Sequence, residues 1–242
     1  MELLRNKIDI NGIPAIIWGT PAKQLYLYIH GQGGNKEEAE RIAEVFCKHG
    51  YQVLSLDLPE HGERKDEQNS FDPWHIVPEL KSVMKFARNQ WERISIFANS
   101  IGAWFSMLSF DSSELEHCLF VSPVLDMKRL ILDMMKWADV SMERLEQEKL
   151  IETSSGQTLS WEYLQFTNSH PIEDWNTPTK ILYAGNDALI CYDSVKEFAD
   201  RFQCSLTVME NGEHWFHTEE QLEFLRGWVE ENYCSFSTSL PL

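Results

Sequence analysis

No stretch of this 242-residue sequence stays apolar for the roughly 20 residues that a bilayer-crossing helix needs. Its first residues, MELLRNKIDINGIPAIIWG, carry charge where a secretory leader has an apolar core, so no signal peptide is expected. Basic residues are scarce: 21 Lys and Arg stand against 38 Asp and Glu, a formal net charge of −17. A chain of that sign is repelled by phosphate backbones, which excludes nucleic-acid binding as its main role, and it disfavours an anionic membrane surface. Cysteines are few and odd in number (Cys47, Cys118, Cys191, Cys204, Cys234), with no C-x-x-C among them. They are expected to be reduced thiols of a cytoplasmic protein rather than a disulfide framework. The phosphate-cradling G-x-x-x-x-G-K-[ST] and the dinucleotide fingerprint G-x-G-x-x-G are both missing. His214 and His217 have H-x-x-H spacing, but neither a third ligand nor an H-E-x-x-H helix accompanies them. No metal and no organic cofactor is expected.

What is present is an ordinary globular composition, 43% hydrophobic and 24% charged, with alternating short and long apolar patterns. Short apolar runs occur at 25–29, 52–56, 94–98, 118–121, 180–184 and 206–209. Most lack a polar face, as strands buried on both sides of a parallel sheet do. Between them lie longer amphipathic segments at 36–49, 73–89, 101–110, 190–202 and 218–232, which are expected to be helices. That alternation predicts an α/β fold: a mostly parallel central sheet with helices on both faces. Asn11-Gly12, between two short apolar segments, predicts an antiparallel hairpin over 7–18. Residues 124–176 interrupt the pattern. Helical spacing over 126–151 and a Ser154-Ser155-Gly156 break predict an inserted helical cap within a single domain spanning 1–242.

Ala98-Asn99-Ser100-Ile101-Gly102 follows one expected strand and opens an expected helix. A serine there, with small residues two before and two after, fits a nucleophile elbow. Small neighbours let strand and helix approach, and the helix start offers free N–H groups to an oxyanion. Ser100 read alone could equally be a helix N-cap. Ser154-Ser155-Gly156 has no strand ahead of it and Glu152 where a small residue is needed, so it does not fit. His30-Gly31-Gln32-Gly33-Gly34 directly follows another strand, and such a loop can aim a main-chain N–H at a ligand. Asp187 and His214 lie just past the two later strands. Ser100, Asp187 and His214 thus fall at the carboxyl ends of strands, where open α/β sheets bind ligands. Their chain order is Ser, Asp, His.

In these features the sequence resembles the α/β-hydrolase superfamily from about residue 7 to residue 233. The matching segments are HGQGG, DLPEHG (57–62), ANSIG, GND and NGEH. Two depart from the usual pattern: Ala98 stands for a glycine at the elbow, and Glu60 for a glycine in D-x-P-G-H-G. The run SHPIEDWNTPTKILYAGND is further similar to the segment entering the acid strand of small carboxylesterases, including cinnamoyl (feruloyl) esterase-like enzymes. The resemblance implies a Ser100 nucleophile, a His214 base and an Asp187 that orients it. It implies oxyanion donors at the backbone N–H groups of Gln32 and Ile101. Asp126 is the rival acid, and His61 is implied to be structural or pocket-lining. The implied activity is a cofactor-independent serine hydrolase, foremost a carboxylesterase acting on small or medium apolar or aromatic acyl esters. A peptidase or thioesterase with the same triad, or a non-catalytic binding protein of this fold, are the alternatives. The 124–175 segment holds five basic and ten acidic side chains, which disfavours acyl-phosphate and nucleotide substrates. Trp104 and Trp215 are the residues expected to wall the pocket or simply to pack.

Overall fold

A computed structural model describes residues 3–154 and 156–234. Six short apolar runs become the parallel strands that carry the architecture. They are β3 (Gln24–Ile29), β4 (Tyr51–Leu56), β5 (Arg93–Asn99), β6 (Cys118–Val121), β9 (Thr179–Ala184) and β10 (Ser205–Met209). Ahead of them, β1 (Arg5–Ile10) and β2 (Ile13–Trp18) pair antiparallel, with Ile10 opposite Ile13. The turn is possible because Asn11 and Gly12 both take positive φ, 57° and 91°, as a two-residue hairpin of this type requires. The eight strands are ordered β1-β2-β4-β3-β5-β6-β9-β10. β2 meets β4 antiparallel, and every pairing from β4 to β10 is parallel.

Alternate side chains of each inner strand feed two cores. Leu25, Leu27 and Ile29 of β3 enter one; Tyr26 and Tyr28 enter the other. The first core is closed by α2 (Pro73–Arg88), α3 (Ile101–Ser109) and α7 (Tyr192–Phe202). The second is closed by α1 (Glu40–Lys48) and α8 (Glu219–Asn232). Local signals set the helix ends. Asp72 caps α2 by accepting the His75 N–H at 2.9 Å, with Pro73 at the first helical position. Gln203 ends α7 in the left-handed conformation.

Between β6 and β9 the chain forms α4 (Met127–Trp137), α5 (Met142–Glu148) and α6 (Trp161–Ser169). It also forms a small antiparallel hairpin, β7 (Leu150–Glu152) with β8 (Thr158–Ser160). The hairpin corrects the expected helical run over 126–151. Helix stops at Glu148, Lys149 turns to φ 68°, and the next three residues pair with Thr158–Ser160 instead of continuing. Three-residue strands carry too little periodicity to announce themselves; pairing and the burial of Ile151 and Leu159 create them. Of the Ser154-Ser155-Gly156 break, Ser155 lies outside the described residues.

Candidate functional site

Ser100 sits where β5 turns into α3, at φ 50° and ψ −122°. A non-glycine residue there is strained, and the surroundings hold it. Its N–H donates to Val121 O at 3.0 Å, and its carbonyl accepts from Ala103 and Val124 at 3.1 and 3.0 Å. The close crossing explains the small neighbours. A Cβ on Gly102 would lie 2.6 Å from Ile29 O and 2.7 Å from His30 O. One on Gly31 would lie 3.1 Å from Ser100 Cβ, so the HGQGG loop passes directly beside the serine. Ala98, in place of a glycine, is fully buried and needs no further space.

Strand order brings the three sequence candidates together. β5 delivers Ser100, β9 delivers Asp187 and β10 delivers His214, all past the same edge of the sheet. The last two turns are laced together. Gly185 N–H donates to Met209 O at 2.8 Å, and Asn186 N–H to Gly212 O at 2.9 Å. Asp187 Oδ1 accepts the N–H groups of Leu189 and Ile190 at 2.8 and 2.9 Å, which fixes its rotamer. Asp187 Oδ2 accepts from His214 Nδ1 at 2.7 Å. With that proton on Nδ1, His214 Nε2 presents its lone pair to Ser100 Oγ, 2.9 Å away. The Asp187 side chain is fully buried and that of His214 nearly so. Asp126, the rival acid, is exposed and caps α4 by accepting the Arg129 N–H at 2.9 Å.

Two histidines brace the loop after β3. His30 is fully buried; its Nδ1–H donates to Gly31 O at 2.7 Å, and its Nε2 accepts from Leu58 N–H at 3.0 Å. Burial pushes its pKa down to about 4, so it serves as a neutral strut. His61 Nε2 accepts the Gly33 N–H at 2.8 Å, while its Nδ1–H donates to Pro59 O. Lys36 and Asp57, both buried, form an ion pair at 2.6 Å that joins the loop after β3 to the one after β4. Ile101 is the first residue of α3, where N–H groups have no intrahelical acceptor. Gln32 is exposed on the braced loop, and its side chain donates to Gln157 Oε1 of the insertion at 3.3 Å.

The two tryptophans differ. Trp104, on α3, is 2% exposed and stacks on Tyr163 of α6 with ring centroids 5.8 Å apart. Trp215 is 67% exposed and meets the His214 ring edge-on at 5.3 Å. The His30 strut was missed as a functional support, although a histidine directly after an apolar strand was a visible signal; His61 stands in the structural position that the resemblance implies. Gln157 carried no signal, since nothing in its local sequence shows what the insertion faces. No group of three or more His, Cys, Asp or Glu side chains among the described residues could hold a metal ion.

No family model and no curated protein matches the sequence. Solved structures do match its fold over nearly the whole chain. Est1E from Butyrivibrio proteoclasticus, solved with ferulic acid bound, superposes with a TM-score of 0.73 at 18% identity, covering 93% of this chain and 96% of its own. The chain has the α/β-hydrolase fold. Mouse alpha/beta hydrolase domain-containing protein 10 gives 0.77 at 11% identity, over 94% and 97% of the two chains. A thioesterase domain from the curacin biosynthetic pathway gives 0.61 at 15%, over 95% and 99%. The eight-stranded sheet of this chain is parallel except for the pairings of β1 with β2 and β2 with β4.

Proposed function

We propose that this α/β-hydrolase-fold protein is a serine carboxylesterase that cleaves small or medium apolar or aromatic acyl esters. The observation that carries this reading is the unbroken relay from Asp187 through His214 to Ser100 Oγ, on a strained elbow. His214 Nε2 takes the Ser100 proton as Oγ attacks the acyl carbonyl. Asp187 holds the productive tautomer and stabilises the imidazolium. The backbone N–H groups of Ile101 and Gln32 stabilise the tetrahedral oxyanion, each worth about a hundred- to a thousandfold in rate. His214 then protonates the departing alkoxide. The same histidine activates a water, which attacks the acyl-enzyme and releases the acid.

The 124–176 insertion caps this site and selects the acyl group. The Gln32–Gln157 contact ties the cap to the oxyanion loop, and Tyr163 and Phe166, packed on the buried Trp104, supply aromatic surface beside the elbow helix. Such a wall suits an apolar or aromatic group over a multiply charged one. The test is turnover of p-nitrophenyl esters of graded acyl length by the protein and by Ser100→Ala. Saturable turnover, abolished in the variant, is expected; equal turnover in both ends the proposal. The likeness to a thioesterase domain supports a second reading, in which the same relay cleaves acyl thioesters. Comparing kcat/KM for an ester and a thioester of one acyl group separates the two.

A further inference from the structure

The segment after β3, residues 30–38, lies between two neighbours. On the β4 side it is held by Asp57, by Leu58 and by His61. On the β5 side stands the elbow. Among the described residues, the side-chain hydrogen bonds that join this segment to the elbow run through one group, the Tyr28 hydroxyl. Tyr28 lies in β3 two residues before His30. It is 2% exposed and stacks on Phe97 of β5 with ring centroids 5.6 Å apart.

The Tyr28 hydroxyl accepts from Asn99 Nδ2 at 3.0 Å and donates to Glu38 Oε2 at 3.4 Å. Asn99 is the residue immediately before Ser100. Glu38 belongs to the helical turn Lys36–Ala39, into which the loop runs. Its carboxylate fills the space beside Gly34, where a Cβ would lie 2.8 Å from Glu38 Oε2. The chain from Asn99 through Tyr28 to Glu38 thus ties the elbow to the exit of the loop. Burial, with the Glu38 carboxylate beside it, pushes the Tyr28 pKa well up, so the hydroxyl stays neutral and can donate and accept at once. Stability alone does not account for the Asn99 amide. Its Oδ1 is buried and has no partner among the described residues. An acceptor left in that state costs about 1–3 kcal/mol, which an apolar side chain would avoid. What the amide supplies is the Nδ2–H that reaches Tyr28.

We infer that Tyr28 is a positioning residue for the proposed oxyanion hole: its hydroxyl sets the spacing between the loop that carries Gln32 and the elbow that carries Ile101. The inference deepens the esterase reading and rests on the roles given there to Ser100, Ile101 and Gln32. Tyr28 acts only through the two N–H groups, whose placement must match the tetrahedral oxyanion rather than the ground-state carbonyl. Cutting the tie therefore lowers kcat and leaves KM.

The test is Tyr28→Phe, which keeps the ring and deletes the tie. Two rates are read: turnover of p-nitrophenyl butyrate, and fluorophosphonate labelling of Ser100. Both are expected to fall about tenfold, a part of the hundred- to thousandfold that a lost donor costs, with KM unchanged within about twofold. Glu38→Ala, at an exposed residue, should do the same. The double variant should be no worse than either single one, because both changes cut one tie. Val229→Ala opens a cavity in the same core under α8, so it should lower the urea midpoint and leave kcat unchanged, which separates positioning from loss of stability. Undiminished kcat and labelling in Tyr28→Phe, a rise in KM alone, or additive losses in the double variant would overturn the inference. A wild-type protein that labels at Ser100 but turns over no ester would refute the ester reading alone, with the labelling rates deciding the role of Tyr28. One that neither labels nor turns over ester would end both.

Discussion

A Cβ on Gly102 would stand 2.6 Å from the carbonyl oxygen of Ile29, so α3 begins almost in contact with the end of β3. That crossing also brings the loop after β3 against the elbow, where a Cβ on Gly31 would lie 3.1 Å from Ser100 Cβ. Gly102→Ala must therefore push helix and strand apart. We expect a loss of about 1–3 kcal/mol, the usual cost of overpacking, measured by urea denaturation. Ester turnover should fall as well, because both proposed oxyanion donors, Ile101 and Gln32, ride on the displaced segments. A variant of unchanged stability and rate would show that the crossing has slack.

Asp187→Asn keeps the oxygen that accepts from Leu189 and Ile190 but replaces the acceptor facing His214 Nδ1. The imidazole then loses its fixed tautomer. A fall in kcat of about ten-thousandfold is expected, with KM little changed and the fold intact, as carboxylate loss behaves in such triads. Asp126→Asn, at the exposed cap of α4, should leave kcat unchanged. The reverse pattern would move the acid to Asp126.

Acid stability has a definite sign. His30 and His117 are buried, and burial lowers both pKa values to about 4. His117 contacts the Tyr26 hydroxyl and Ser95 Oγ, with Lys180 disfavouring its charge. Unfolded, both would titrate near 6.5 and bind protons that the folded state refuses. Stability should thus be complete above about pH 6.5 and decline as pH falls, each histidine costing about 3 kcal/mol by pH 4. Urea denaturation at pH 7.5 and pH 4 measures the decline. His117→Gln, which cannot titrate, should show a visibly shallower pH dependence; an unchanged slope would mean that His117 takes up its proton without unfolding.

Much of this was legible in the sequence because the signals were local. Apolar runs such as CLFV at 118–121 became strands at the expected residues, and Asn11-Gly12 made its hairpin. The hydrolase fold followed from the order of ANSIG, GND and NGEH. What stayed hidden depends on long-range neighbours. The Lys36–Asp57 pair spans 21 residues and exists only because β3 and β4 are adjacent. The β7–β8 hairpin arises from the pairing of two short strands, and the Trp104–Tyr163 stack joins α3 to a segment beyond β6. A motif reports its own backbone; it does not report which distant side chain fills the space opposite.

The central claim is that His214 activates Ser100. Its most direct test is to treat the protein with a fluorophosphonate and locate the adduct by peptide mass spectrometry, alongside Ser100→Ala and His214→Ala. A single adduct on Ser100, absent from the first variant and strongly slowed in the second, is the predicted result. A folded protein that stays unlabelled, or one labelled equally well without His214, would contradict the account.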